Sequence, residues 1–243
     1  MIVDSSLERI YPDISGNENE IGGTDTVQLH LERYHFAGKN LIPGHIADVA
    51  CGAGYGSYLL ATQYKNGIDT ITAIDNSRTA IEYAKEKYKD PLINFVNADA
   101  MTYQASTPFS TVISLETIEH LAEPEKFIRF FTSQLISGGR FIASAPVTPS
   151  MDANPYHFQD FTVSSFKNLF LKSGLTEVSS TTQKQSYNPF GLFKKKKQGR
   201  NKDIRQGLGK YYLKHPGKLL LRLQSLVKDG FTNKYLIVIF EKK

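Results

Sequence analysis

A single cysteine, Cys51, stands in a chain of 243 residues, so no internal disulfide forms and no cysteine-rich metal site can be built. That scarcity fits a reducing, cytoplasmic setting. Equally missing is any apolar run approaching the roughly 18 residues that a membrane-spanning helix needs. The start of the chain, Met1-Ile2-Val3-Asp4-Ser5-Ser6, has no basic stretch leading into an apolar one, so no secretory signal is expected. No internal repeat is visible. Hydrophobic residues make up 40% and charged residues 22% of the chain, which excludes wholesale disorder. The length suits one large α/β domain, 1–243, better than two.

Apolar runs of strand length alternate with stretches of helical period. His45–Ala50 precedes Tyr58–Tyr64, and Thr70–Asp75 precedes Arg78–Tyr88. Ile93–Asn97 follows, then Thr111–Leu115 with Pro124–Leu135, and Arg140–Ala145 with Val163–Leu171. Such alternation predicts a Rossmann-like, mainly parallel sheet with helices on both faces. Ala80, Ile81 and Ala84 give one helix its buried stripe; Phe127, Ile128, Phe131 and Leu135 give another. Beyond Leu175, Thr176–Gln183 and Tyr235–Phe240 read as two further strands, making seven. A segment before the first strand, 1–40, contains a helix over Thr26–Gly38 ending at a glycine C-cap.

Asp48-Val49-Ala50-Cys51-Gly52-Ala53-Gly54-Tyr55-Gly56 follows a strand and opens a helix. Small residues there let the backbone turn tightly and approach a ligand, with helix N–H groups facing it. Ala50 stays small but is expected to avoid positive φ. Asp75 closes the second strand, where an acid can accept both hydroxyls of a ribose. Asp99, followed by Ala100 and Met101, closes the third, where an acid can accept an adenine amine. Three acids at successive strand ends are expected to line one edge of the sheet. A nicotinamide dehydrogenase would use similar features, but no second nucleotide-binding half follows.

A second constellation ends the fourth strand: Ser114-Leu115-Glu116-Thr117-Ile118-Glu119-His120. Glu116 and Glu119 are one helical turn apart, so their carboxylates and the His120 imidazole are expected to converge. His157 lies after the fifth strand, in Asn154-Pro155-Tyr156-His157. Two carboxylates and two imidazoles form a mixed O/N set suited to a divalent ion such as magnesium or manganese. Alternatively, Glu119, His120 and His157 act without metal as acid, base or substrate-binding groups, or simply anchor a loop.

Taken in order, Asp48–Gly56, Asp75, Asp99 and Ser114–His120 resemble the motifs of class I S-adenosylmethionine-dependent methyltransferases. The resemblance covers about Leu7 to Phe170 and the last strand; Ala50 replaces the family's first glycine. It implies a seven-stranded sheet with a reversed terminal strand, supplied by Tyr235–Phe240. It also implies that Asp48, Ala50, Gly52, Gly54, Asp75, Asn76, Asp99, Ala100 and Leu115 hold S-adenosylmethionine. The Glu-x-x-Glu-His set with a later histidine is similar to two metal-using branches, the 3′-terminal 2′-O-methyltransferases of small RNA and the catechol O-methyltransferases of ubiquinone synthesis. Glu8-Arg9-Ile10-Tyr11-Pro12, His30–Ala37, Glu116–His120 and Asn154–His157 together look like bacterial methyltransferases of surface-polysaccharide and glycolipid synthesis. The expected activity is methyl transfer to a hydroxyl of a sugar, glycan or other small molecule, with His120 or His157 as base. RNA 2′-O-methylation and a catalytically inactive partner subunit are the alternatives; the intact Glu116–His120 and His157 set weighs against the latter. Arg33 and Tyr34 would lie on the helix covering the cofactor.

The net charge of +5 is concentrated rather than spread. Lys194-Lys195-Lys196-Lys197, Arg200, Lys202 and Arg205 are followed by Lys210, Lys214, Lys218, Arg222 and Lys228, all within an insertion over 186–233. Asn188-Pro189-Phe190-Gly191 opens it with a turn, and Pro216–Lys228 reads as an amphipathic helix. The insertion suits a solvated run, a lid over the substrate, or a peripheral contact with an anionic membrane surface. Nucleic acid is the least favoured partner, because no RNA-reading module accompanies it.

Overall fold

The computed structural model describes residue 12, residues 24–151, residue 154, residues 156–186 and residues 208–243. The expected motif Glu8–Tyr11, Pro155, the turn at 188–191 and the lysine run Lys194–Lys197 lie outside the described residues.

Seven strands form one sheet: β1 (Gly44–Val49), β2 (Ile68–Asp75), β3 (Ile93–Asn97), β4 (Phe109–Leu115), β5 (Leu135–Pro146), β6 (Leu175–Ser186) and β7 (Thr232–Lys242). Their spatial order is β3-β2-β1-β4-β5-β7-β6. Pairing is parallel from β3 through β5, whereas β7 runs antiparallel to both of its neighbours. The expected mainly parallel sheet with a reversed strand is what forms.

Burial on both sides explains the near-continuous apolar character of the central strands. On one face, Tyr34 and Ala37 of α1 (Thr24–Gly38), Leu59 and Leu60 of α2 (Tyr55–Gln63) and Ile81 and Ala84 of α3 (Arg78–Lys87) pack over Ile46, Ile71 and Ile113. On the other, Phe127, Ile128 and Phe131 of α4 (Pro124–Ser133) meet Phe166 and Phe170 of α5 (Val163–Leu171) over Val112, Phe141 and Val238. Phe170 stacks on Phe240 of β7 at 4.4 Å between ring centroids, welding α5 to the reversed strand. Local chemistry sets the helix starts. Ser77 accepts from the Ala80 N–H, Pro124 opens α4, and Thr162 with Ser165 forms a reciprocal capping box before α5.

Three expectations need correction. Leu135 does not finish α4; that helix stops at Ser133, and Leu135 opens β5, pairing with Phe109. Apolar spacing alone did not reveal the break, because Leu135 is buried in either role. The insertion holds a second helix, α6 (Leu208–Lys214), ahead of α7 (Pro216–Asp229), with His215 between them. Ala50 does adopt positive φ, at +63°, a left-handed conformation that costs a residue with a Cβ on the order of 1 kcal/mol. Among the described residues no helix is long and apolar enough to cross a membrane.

The last glycine of the loop decides how closely α1 and α2 approach. A Cβ on Gly56 would lie 1.9 Å from the Tyr34 ring. Gly56→Ala should therefore destabilise the protein by about 2–3 kcal/mol, the cost of overpacking a closed contact. In a Tyr34→Ala background the same substitution should cost much less, and urea titration of the four proteins checks that coupling.

Candidate functional site

The glycine loop turns at the C-terminal end of β1. Ala50, Gly52 and Gly54 all have positive φ, so the chain reverses within a few residues. Two bonds hold the reversal: the Cys51 N–H donates to the Ile74 carbonyl at 3.0 Å, and the Gly52 N–H to Asp75 Oδ2 at 2.9 Å. The two glycines differ in purpose. A Cβ on Gly54 would strike Ala84 and the Phe95 ring at 2.6 and 2.7 Å, so this glycine serves packing. A Cβ on Gly52 would meet nothing within 4 Å. Its outer side is open, as a ligand cradle requires.

The three acids are not equivalent. Asp48 is 1% exposed and does not line the sheet edge as expected. Its carboxylate accepts from Ser57 Oγ at 2.6 Å and from Tyr34 Oη at 3.2 Å to each oxygen, so it holds α1 and α2 on β1. Desolvation raises its pKa from 3.8 to about 6, against the opposing pull of those two hydroxyls. Asp75, 6% exposed, accepts from the Gly52 N–H and, at 2.8 Å, from the Ser77 N–H, bracing the loop from β2. Asn76 beside it is exposed. Asp99 is exposed at the end of β3, and its Oδ1 accepts from the Met101 N–H at 2.9 Å as Ala100 opens a 3-10 turn. Leu115 ends β4, half-buried, next to the loop that carries the second constellation.

Arg33 has a larger role than its sequence context indicated. It is 1% exposed, its Nε donates to Gln183 Oε1 at 2.8 Å, and its guanidinium lies 4.4 Å from the centroid of the Tyr235 ring. Its Nη1 is 3.8 Å from Glu116 Oε2 and has no hydrogen-bond partner among the described residues. A buried cation so loosely paired is costly unless a further anion approaches. Only a pattern linking residues some 150 positions apart would have disclosed the Gln183 contact.

The four-residue metal set contracts to three. Glu116 has φ +53°, and its side chain accepts from Ser144 Oγ at 2.7 Å and faces Arg33. The spacing argument assumed a helical turn through Glu116, but only Ile118–His120 form a 3-10 turn, and Glu116 lies outside it. A non-glycine residue at positive φ next to a buried ion pair is a strained position of the kind found at functional sites. Glu119, His120 and His157 do converge, offering one ligand atom each within 4.8 Å of one another. Their imidazoles meet edge to face, with centroids 4.6 Å apart.

Loop bonds fix this pair. The Phe158 N–H donates to the Glu119 carbonyl at 2.8 Å, joining the β4 and β5 loops. His120 Nδ1 lies 3.1 Å from the Tyr156 carbonyl, which can only accept, so Nδ1 carries the proton. Nε2 of the neutral ring is then the basic nitrogen, able to take a proton or bind an ion. His157 Nδ1 lies 2.8 Å from Ser150 Oγ.

Residues 47–143 match the family model described as a methyltransferase domain. A probable S-adenosylmethionine-dependent methyltransferase of Mycobacterium tuberculosis is 23% identical over 167 residues, covering 62% of this chain and 59% of that protein. The chain therefore spans about three fifths of the length of that relative. The mitochondrial ubiquinone biosynthesis O-methyltransferase of Schizosaccharomyces pombe is 30% identical over 122 residues, 48% of this chain and 41% of that one. Among solved structures, the N-methyltransferase NodS of Bradyrhizobium japonicum, in complex with S-adenosyl-L-homocysteine, superposes with a TM-score of 0.60 at 14% identity, covering 93% of each chain. Over residues 47–143 the chain is thus similar to methyltransferase domains, and its sheet order is that of the fold it shares with the solved neighbour.

Asp48 makes stability depend on pH in a definite direction. Because its folded pKa of about 6 exceeds 3.8, its contribution is fully present below 3.8 and is lost as pH rises through about 6. The stability difference between the native chain and Asp48→Asn should shift across that window by roughly 3 kcal/mol at most, and stay flat above it. Urea unfolding at a series of pH values checks this.

Proposed function

We propose that this chain transfers the methyl group of S-adenosylmethionine to a hydroxyl of a sugar, glycan or other small-molecule acceptor. The observation that carries the reading is the division of the sheet edge. The open glycine cradle with Asp75 and Asp99 lies beyond β1, β2 and β3, and the Glu119–His120–His157 cluster lies beyond β4 and β5. The cradle fits the cofactor on two counts. Gly52 leaves space where a side chain would intrude, and Arg33 Nη1, which makes no hydrogen bond among the described residues, suits the carboxylate of its amino-acid tail. Asp75 and Asp99 keep acceptor capacity for ribose hydroxyls and the adenine amine.

When bound, the cofactor supplies an electrophilic methyl on a positively charged sulfur. This chain's part is to orient the acceptor oxygen and remove its proton as the new bond forms. His120 Nε2 is the first choice of base, with His157 beside it; Glu119, 1% exposed, stabilises the imidazolium that results. The resemblance of the motif order to bacterial methyltransferases of surface-polysaccharide synthesis supports the acceptor class.

The test uses labelled cofactor with glycan fractions, lipid extract and total RNA. Label should enter glycan or lipid-linked material and not RNA, and Asp75→Ala should bind S-adenosylhomocysteine at least about tenfold more weakly. Unchanged binding by that variant removes Asp75 from the cofactor site, and label in RNA replaces the acceptor class.

A second reading rests on the three converged ligand atoms. Glu119, His120 and His157 would hold a divalent ion through one carboxylate and two imidazoles, with positions left for an acceptor hydroxyl whose pKa the ion lowers. Under this reading, chelator-treated protein keeps its affinity for S-adenosylhomocysteine, loses turnover, and regains it with magnesium, manganese, cobalt or zinc. His157→Ala should mimic the chelated state. Full activity after exhaustive chelation, with no metal by elemental analysis, leaves a histidine base alone.

A further inference from the structure

The α6–α7 hairpin is built inside out. The side of α7 that meets the domain is polar apart from the half-buried Leu226. Lys218 Nζ donates to Asp160 Oδ2 at 2.6 Å, Arg222 Nη2 donates to the Pro149 carbonyl at 2.6 Å, and Asp229 pairs with Lys234. No residue of α7 is buried. The side turned to solvent carries Leu219, Leu220, Leu223 and Val227, spaced as one helical stripe, with Leu220 57% and Val227 90% exposed. Leu213 on α6 is 85% exposed, and Phe231 just past α7 is exposed as well. Ordinary amphipathic helices of a folded domain do the reverse, so this stripe is made for a partner.

Charge selects the partner. Residues 186–230 hold 12 of the 29 lysines and arginines and only 2 of the 24 acids, leaving the rest of the chain five charges negative. Lys210, Lys214 and Lys228 are exposed on the hairpin that bears the leucines. A second copy docking here would set two strongly cationic segments face to face. An anionic lipid surface meets both demands, with headgroups for the cations and an acyl boundary for the leucines.

We propose that α6 and α7 form an interfacial element that lays the Leu219–Val227 stripe into an anionic bilayer surface. The anchoring is specific to the site loop. Asp160, which Lys218 grips, also accepts from the Ser150 and Met151 N–H groups, and Ser150 Oγ contacts His157. The hairpin that touches lipid is thereby bolted to the loop that carries the histidine.

Co-sedimentation of the full chain with phosphatidylcholine vesicles, with and without phosphatidylglycerol, tests the proposal. Binding should require the anionic lipid and fall as salt rises. Leu220→Glu with Val227→Glu should weaken vesicle binding at least about tenfold. Because both residues are exposed, the double variant should keep the native unfolding midpoint and its affinity for S-adenosylhomocysteine. Equal recovery with neutral and anionic vesicles, or undiminished binding by the double variant, overturns the proposal. So does a dimer in analytical ultracentrifugation that the double variant converts to monomer, since a second copy would then cover the stripe.

Discussion

The buried carboxylate of Asp48 organises the half of the molecule that carries the glycine loop. It joins three consecutive elements through two hydroxyls, Tyr34 Oη from α1 and Ser57 Oγ from α2, onto the end of β1. A desolvated carboxylate is tolerable only where such donors compensate it. The geometry that delivers the Tyr34 hydroxyl needs Gly56, whose missing side chain is the space the tyrosine ring fills. From this knot the glycine loop leaves in the left-handed conformation, and Asp75 catches its Gly52 N–H from the neighbouring strand. Asp48 thus shapes the cradle from a buried position beneath it.

Beyond that knot the sheet edge has two regions with different supports. The glycine-loop side is held by backbone N–H groups donating to acids, an arrangement that local sequence encodes. The histidine side is held by contacts between loops, Glu119 to Phe158 and His120 to Tyr156, and by the buried Arg33 that Glu116, Gln183 and Tyr235 surround. Arg33 stands where these regions meet. Its loosely matched charge makes that junction sensitive to any anion that enters.

Much of the fold was legible because parallel strands buried on both faces announce themselves as short apolar runs, and each ended near its expected residue. The reversed strand was equally plain from Tyr235–Phe240. Legibility failed where a residue satisfies two roles or where geometry departs from a regular period. Leu135 is buried either as the end of a helix or the start of a strand. Ala50 takes a conformation that its side chain disfavours, because Cys51 and Gly52 on its far side are tied to β2. Glu116 left the metal set because the chain there is strained rather than helical. The hydroxyl contacts of Asp48 were hidden, since a strand-end acid reads alike in sequence whether or not a tyrosine and a serine surround it. The leucines of α7 were visible as a stripe, but that they face water while lysine and arginine face the domain is a fact of tertiary structure alone.

The position of β7 has a consequence for how the molecule is made. It lies between β5 and β6, antiparallel to both, yet it is separated from β5 by the entire 147–231 stretch. During synthesis β5 has no neighbour on that edge until the ribosome has passed residue 242, and β6, mostly exposed at its outer face, has none at all. Strands waiting with unpaired N–H and C=O groups invite association with other chains. Closure of the sheet is therefore a late, long-range event, slow in the way distant β pairing is slow. A nascent chain stalled before that point would present a nearly complete glycine-loop half beside an unfinished edge, a natural substrate for chaperones.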